Sequence, residues 1–493
     1  MIKKTDKLFD FIQAMTSHER GYFKQSSNKD SYYVILFDAM CKQKDYNEGE
    51  LVKQLKRAGC NRKISAMKDY LWRELTQAMA PYHLIKTPLG EATAQMQRLQ
   101  LLQDKGLSNH INKDLHALKK FCLKYELYDT LLQTLQFEFR FGFHQLSLND
   151  NYWQEFHEAV HANMVYMQLS EIQHRLHLYV LKRPNGNLSE KEAEEVNSLI
   201  NHSVLTDKLL ESMIRLQLIR EAIYDLYAHL KNNYRGIVKH NMNIVALLED
   251  RPHLIKDGRE ISLIYTNIVI ALANAGQRKE LANVVDEIIV KLHNIPHHQQ
   301  YSLGRELEVK VLRMLTLNNF KPLPELIQAF RERLYKIPVS IKHHLYYNIA
   351  LAYVKSGAID AALDWIDEAI SFYRTHKRAD DTNPRTLRVL HILIHFELRN
   401  YVYVINQVES FMRTYKPVLK DKDQNYVVLK YLRSAAKSVQ PEKEMKKLRD
   451  KLYKDFSSTS NSILLDMHLW VDCIAEGKTY ANACASIAKQ QLN

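Results

Sequence analysis

Glycine and proline are scarce in this chain of 493 residues, which has 13 glycines and 11 prolines. Average usage would supply roughly two to three times as many of each. Because tight turns depend on both residues, their shortage argues against an all-β or loop-rich fold. Hydrophobic residues make up 46% of the chain and charged residues 25%, as in folded proteins, and no long stretch alternates as half-buried strands do. We therefore predict an all-α protein of long helices.

Long apolar runs and a secretion signal are also missing. Asp6 and Asp10 interrupt the segment in which a signal peptide would be apolar. The most apolar run, residues 261–275, contains Tyr265, Thr266 and Asn267 and is shorter than a bilayer span. The sequence has no CxxC motif, and its cysteine count is odd, which is typical of reduced thiols; the five are Cys41, Cys60, Cys122, Cys473 and Cys484. We expect a cytoplasmic protein without a membrane partner.

Most catalytic signatures are absent. The chain has no GxxxxGK[ST] phosphate loop, no GxGxxG and no GxSxG. HExxH occurs once, at residues 157–161, and a match this short is weak evidence on its own. Two pairs of adjacent histidines occur, at residues 297–298 and 343–344, but neighbours on a helix point about 100° apart and do not easily share a metal ion. The sequence thus predicts a protein that is not an enzyme, with no catalytic residues, no cofactor and no metal site.

The charge is unbalanced toward basic residues, with a formal net charge of +13. One basic group lies near the N-terminus and comprises Lys53, Lys56, Arg57, Arg62 and Lys63. A second covers residues 413–454 and includes Lys430, Arg433, Lys437, Lys446, Lys447 and Arg449. Such residues are typical of solvated helix faces, and they also suit docking of an acidic protein segment or a nucleic-acid backbone.

A chain of this length is too long for one compact core, so it forms either several domains or a repeat whose core grows along one axis. Residues 1–82 contain short helices of unequal length, predicting an N-terminal helical subdomain or cap. Capping-box patterns begin helices at Thr16 and at Ser189. An interval rich in proline and glycine, residues 81–90, leads into residues 83–207, which we interpret as irregular helical hairpins.

Residues 208–493 show a repeated turn. Predicted turns lie near residues 233, 276, 319, 357, 400, 440 and 477, at intervals of about 37 to 43 residues. Glycine and asparagine recur there because both tolerate the left-handed backbone that ends many helices. Prolines follow several of these turns by about one helix length, where a second helix should end. The pattern predicts stacked helical hairpins.

The hairpin around Gly357 resembles a tetratricopeptide repeat (TPR). The matching positions are Tyr346, Ile349, Ala350, Tyr353, Gly357, Ala362, Ile366 and Ala369. The other hairpins are divergent, and their period exceeds the family's about 34 residues. More loosely, the whole chain resembles bacterial helical-repeat proteins with a similar N-terminal segment. The resemblance implies an α-solenoid of TPR-like hairpins.

In a TPR-like stack the first helix of each hairpin lines a concave face that binds a peptide or protein segment. The resemblance places on this face Tyr347, Asn348, Leu351, Lys355, Leu390, Ile394 and Glu397. Because Tyr347 and Leu351 stand where carboxylate-clamping members have lysine and asparagine, an apolar or aromatic segment is the expected ligand. We predict a protein-interaction scaffold whose partner is a protein or peptide. An acidic partner would suit the basic residues. The alternative is a nucleic-acid-binding repeat that uses residues 413–454.

Overall fold

The computed structural model describes residues 6–27, 31–43, 46–60, 62–145, 151–182, 188–255, 258–295, 299–375, 383–415, 424–456 and 466–492. Throughout these ranges the regular structure is helical, with 24 α-helices and no strand. The all-α prediction is therefore confirmed. Among these helices none is both long and apolar enough to cross a membrane.

The chain divides into two compact units, residues 1–165 and 166–493. The division falls inside one long helix, α9 (Tyr152–Lys182). The predicted boundaries near residues 82 and 207 remain predictions.

The first unit contains the helices up to the first part of α9. They are α1 (Lys7–Ala14), α2 (Ser17–Ser26), α3 (Tyr32–Lys42), α4 (Glu48–Arg57), α5 (Ile64–Leu84), α6 (Pro88–Asp104), α7 (Ser108–Lys124), α8 (Tyr128–Gln145) and α9 (Tyr152–Lys182). Two hydrophobic clusters hold this unit, one between Leu8 and Met79 and one between Ala92 and Ala159. The predicted capping box is present, because Thr16 accepts from the backbone of Glu19 and Glu19 accepts from that of Thr16.

The interval predicted at residues 81–90 is wrong in its extent. Helix α5 continues through Pro81 to Leu84, and α6 already begins at Pro88. Tertiary contacts stabilise the turn after the proline: the rings of Tyr82 and Tyr22 lie 4.7 Å apart, and His83 lies 2.9 Å from Glu19. These contacts offset the backbone hydrogen bond that proline cannot donate.

The second unit contains the rest of α9 and fifteen further α-helices among its described residues. They are α10 (Glu190–Ile200), α11 (Ile214–Leu230), α12 (Tyr234–Asp250), α13 (Gly258–Asn274), α14 (Arg278–His293), α15 (Gln299–Leu317), α16 (Leu323–Arg331), α17 (Val339–Ser356), α18 (Ile359–Thr375), α19 (Asn383–Glu397), α20 (Tyr401–Tyr415), α21 (Gln424–Lys437), α22 (Pro441–Asp455), α23 (Met467–Ala475) and α24 (Tyr480–Leu492). Four short 3₁₀ segments lie between them, at Ser203–Thr206, Lys208–Glu211, Pro252–Leu254 and Leu334–Lys336. The capping box predicted at Ser189 begins α10.

Two kinds of helix contact recur in the second unit. Consecutive helices pack as pairs, including α11 with α12, α17 with α18 and α21 with α22. Alternate helices also pack in series, α13 on α15, α15 on α17, α17 on α19 and α19 on α21. One hydrophobic core runs through these contacts from Ile244 to Cys484.

Left-handed backbone ends many of the paired helices. The φ angle is positive at Asn232, Gly276, Asn318, Gly357, Arg399 and Gly477. At Gly357, where φ is +83°, the backbone N–H donates to the carbonyl of Val354. Three tyrosines of α17 are buried, with Tyr346, Tyr347 and Tyr353 each less than a tenth exposed.

Candidate functional site

The residues predicted to line a groove lie together on one face formed by α17 and α19. Tyr347, Leu351 and Lys355 stand at successive turns of α17, because positions four apart share a helix face. All three are buried, as is Asn348 beside them. On α19, Leu390 and Ile394 are buried and Glu397 is half-buried. We call the face that carries these seven residues the inner face.

Helix α24 covers the inner face. Tyr480 and Cys484, one turn apart on α24, are 1% and 3% exposed and belong to the same hydrophobic core as Tyr347 and Leu351. At the end of α17 a side chain on Gly357 would meet the Cβ atom of Ala481 at only 3.2 Å. The chain's own last described helix therefore occupies the place expected for a partner.

Glu397 holds the beginning of α24. Burial raises the pKa of its carboxyl group, which accepts hydrogen bonds from the Trp470 side chain and from the backbone of Tyr480. A carboxylate is favoured at this point because the first turn of a helix has unpaired N–H groups and a partial positive charge. Residue Glu397, predicted to contact a partner, thus caps a helix of its own chain.

Lys355 is the buried cation of this cluster. It is 5% exposed, and burial lowers the pKa of its ammonium group to about 8, although Cys484 and Asp466 act in the opposite direction. Asp466 in turn caps α23 by accepting from the backbone of His468 and Leu469, and its own N–H donates to the Tyr480 hydroxyl at 3.2 Å. Polar groups from α17, α23 and α24 therefore converge at one end of the face for which the sequence predicted an apolar or aromatic ligand segment.

The predicted basic residues lie on α21 and α22. Lys430, Arg433, Lys437, Lys446 and Lys447 are exposed and Arg449 is half-buried. Some are paired with carboxylates: Arg433 lies 2.7 Å from Glu409, and Lys447 lies 2.6 Å from Glu444. Within the described part of the chain neither Lys430 nor Lys446 forms a salt bridge.

A cleft of about 480 Å³ opens between α21 and α22. Lys430 and Lys451 line it together with Tyr426, Tyr431 and Glu444. Lys451 is paired with Asp455 at 2.8 Å. The cleft therefore combines aromatic surface with cationic groups, the combination that suits an acidic or phosphorylated ligand.

Comparison with protein-family models, curated proteins and solved structures finds no match to this chain. Searching the described residues for metal sites finds no group of three or more histidine, cysteine, aspartate or glutamate side chains. All five cysteines are free thiols, and four of them are buried.

Sequence reasoning missed the part played by α24. Its apolar positions Tyr480 and Cys484 are four residues apart, which indicates one buried helix face. Nothing in that spacing names α17 as the surface that buries it, because the two helices are more than a hundred residues apart in sequence.

Proposed function

We propose that this protein is a non-enzymatic interaction scaffold, a TPR-like α-solenoid whose inner face binds an amphipathic helix of a partner protein. The seating of α24 on α17 is the observation that carries the proposal. A surface that already accepts one helix has the width and the apolar composition that another helix requires.

The serial packing of α13, α15, α17, α19 and α21 supports the solenoid. In TPR-like stacks the first helices of successive hairpins contact each other in this way and form the concave face. Tyr347, Leu351 and Lys355 lie on that side of α17, where α24 lies. In this proposal α24 is a built-in occupant that the partner displaces.

The chemistry of the inner face indicates the kind of ligand. Tyr480 supplies an aromatic ring, Ala481 a close approach to Gly357, and Cys484 a small buried group. A partner helix that carries an aromatic residue followed by small residues one turn later would reproduce these contacts. Its first turn would also receive the Glu397 carboxylate that now caps α24.

A reversible disulfide between α17 and α24 tests the proposal. The Cβ position of residue 357 lies 3.2 Å from that of Ala481, close to the about 3.5–4.5 Å of disulfides. A Gly357→Cys/Ala481→Cys variant that also carries Cys484→Ala should therefore tie α24 to α17 when oxidised. The tagged protein is used to capture partners from native lysate, oxidised or reduced, with bound proteins identified by mass spectrometry.

We expect specific partners to be captured by the reduced protein and lost from the oxidised one. The Gly357→Cys/Cys484→Ala variant that retains Ala481 is the matched control, because it bears the same backbone strain but forms no disulfide between α17 and α24. Equal capture by the oxidised and reduced forms, with disulfide formation verified on the intact protein, would show that partners do not use the inner face.

A second candidate function is binding of a nucleic-acid backbone through α21 and α22. The side chains of Lys430 and Lys446 favour it, since both are exposed and neither forms a salt bridge with another described residue. The test measures binding of two single-stranded RNAs of different sequence between 50 and 200 mM salt, concentrations over which electrostatic binding falls steeply.

The Lys430→Glu/Lys446→Glu variant should lose this binding. Lys53→Glu/Lys56→Glu makes the same change of net charge on α4 and should retain it. Equal losses in both variants, or a collapse of affinity for both RNAs at the higher salt, would reduce the interaction to general charge attraction.

A further inference from the structure

Two histidines of α19 lie one turn apart with their rings facing the same point. His391 and His395 are both half-buried, and their Nε2 atoms are 3.1 Å apart. Their spacing of four residues places both rings on one side of the helix, as in zinc-binding helices with two histidines. This pair differs from the adjacent histidines considered in the sequence, whose side chains diverge.

The separation of the two nitrogens fits a shared metal ion. With metal–nitrogen bonds of about 2.0–2.1 Å, two ligands of a four-coordinate ion lie about 3.3 Å apart and two neighbouring ligands of a six-coordinate ion about 2.9 Å apart. The observed 3.1 Å falls between these values. The rings need no large movement to bind one ion.

The surroundings hold the two rings in place. The Tyr403 ring packs against His395 at 4.3 Å and meets the edge of His391 at 5.7 Å. The side-chain amide nitrogen of Asn400 lies 3.1 Å from Nδ1 of His395. If that amide turns over, its oxygen accepts a proton on Nδ1 and leaves Nε2 free to bind a metal, as second partners of metal-binding histidines do.

The electrostatic setting also suits a cation. Asp367 of α18 lies close enough to act on both rings and on Tyr403. Its negative charge favours a divalent ion beside the rings.

We propose that His391 and His395 form a surface site for a divalent first-row transition-metal ion such as Zn²⁺ or Cu²⁺. Water completes the coordination, because the described residues offer no third histidine, cysteine or carboxylate at ligand distance. The site departs from the sequence-based expectation of no metal. It is independent of the proposed scaffold function, since neither histidine belongs to the inner face.

The test uses the full-length protein without a histidine tag. Titration calorimetry with Zn²⁺ gives the affinity and stoichiometry, and electron paramagnetic resonance with Cu²⁺, the strongest binder of the divalent series, counts coordinating nitrogens. The variants are His391→Gln and His395→Gln, which retain a polar side chain and should preserve the fold. The control is His157→Gln/His161→Gln, which removes the HExxH pair on α9, because that pair has the same spacing and fits the same ion. The two α19 variants are made in this background.

We expect one Cu²⁺ bound by two imidazole nitrogens in the α9 control, which retains the α19 pair. Each single α19 variant should show one nitrogen and bind Zn²⁺ at least tenfold more weakly. An Asn400→Ala variant should keep both nitrogens but weaken Zn²⁺ binding, since losing a second partner of a ligand typically lowers affinity about 10- to 100-fold. Unchanged affinity and nitrogen count in the folded α19 variants would overturn the proposal.

Discussion

Replacing Gly357 with alanine should loosen α24, whereas the same change at Gly276 should not. Both glycines have left-handed backbone, with φ of +83° and +70°. An L-residue in this conformation costs about 1–2 kcal/mol, so both variants should lose about that much stability. Only at residue 357 does the new methyl group meet another helix, at 3.2 Å from the Cβ atom of Ala481; the Gly276 position has nothing within 4 Å.

The additional cost at Gly357 arises because carbon atoms pack best at about 3.5–4.0 Å. Helix α24 must therefore move by a few tenths of an ångström from its seat on α17. If this movement weakens the packing of α24 on α17 by about 1 kcal/mol, the fraction of molecules in which α24 is detached rises about fivefold. Equilibrium unfolding of both variants in urea measures the loss of unfolding free energy that they share. A local probe of α24 measures the additional opening expected only in Gly357→Ala.

Cys484 is that probe, since it lies on the buried side of α24, is 3% exposed, and burial raises the pKa of its thiol. Alkylation followed by peptide mass spectrometry measures its labelling rate, with Cys122 in the first unit as an internal reference. We expect Cys484 to be labelled about fivefold faster in Gly357→Ala than in Gly276→Ala, because its labelling requires α24 to open. Equal rates in the two variants would refute the reasoning that α24 rests on Gly357.

Three further changes have defined outcomes. Leu351→Ala removes a fully buried side chain and should lower the free energy of unfolding by about 2–5 kcal/mol in urea titrations, with a loss under 1 kcal/mol counting against its burial. Burial lowers the pKa of Lys355 from 10.5 to about 8, so between pH 8 and 10.5 the folded chain has released this proton while the unfolded chain still holds it. The free energy of unfolding of the native chain, compared with that of Lys355→Met, should therefore rise by about 3 kcal/mol over this range. A constant difference between these two proteins across that range would contradict the buried charge. Arg399→Gly should raise the free energy of unfolding by about 1 kcal/mol, because Arg399 has a φ of +61° that glycine adopts without strain. A lower melting temperature would mean that contacts of the arginine side chain stabilise the fold by more than the backbone strain destabilises it.

The sequence carried much of the local structure. Capping boxes at Thr16 and Ser189 begin helices, because side chains there pair with N–H groups three residues away. Gly276, Gly357 and Gly477 coincide with helix ends for a similarly local reason, since only the backbone conformation at one residue is involved. Pro81 shows where local reasoning fails, because contacts of Tyr82 and His83 extend the helix past it.

The candidate site followed the sequence only in part. Tyr347, Leu351 and Lys355 share a face because helical periodicity fixes it, and that much could be predicted. The sequence could not predict that α24 covers this face. Apolar side chains of α24 pack on those of α17, and no fixed spacing along the chain connects the two helices. The pair His391 and His395 is intermediate: the spacing of four is visible in the sequence, but the convergence of the two rings depends on Tyr403 and Asn400.

Composition, periodicity and turn residues by themselves determined that this chain is helical and where many of its helices end, since those features depend on interactions between residues a few positions apart. Tertiary structure alone decided that Glu397 caps α24 and that Lys355 is buried beneath it. Both outcomes require helices distant in sequence to meet, and hydrophobic burial, which drives that meeting, has no direction that a linear pattern could record.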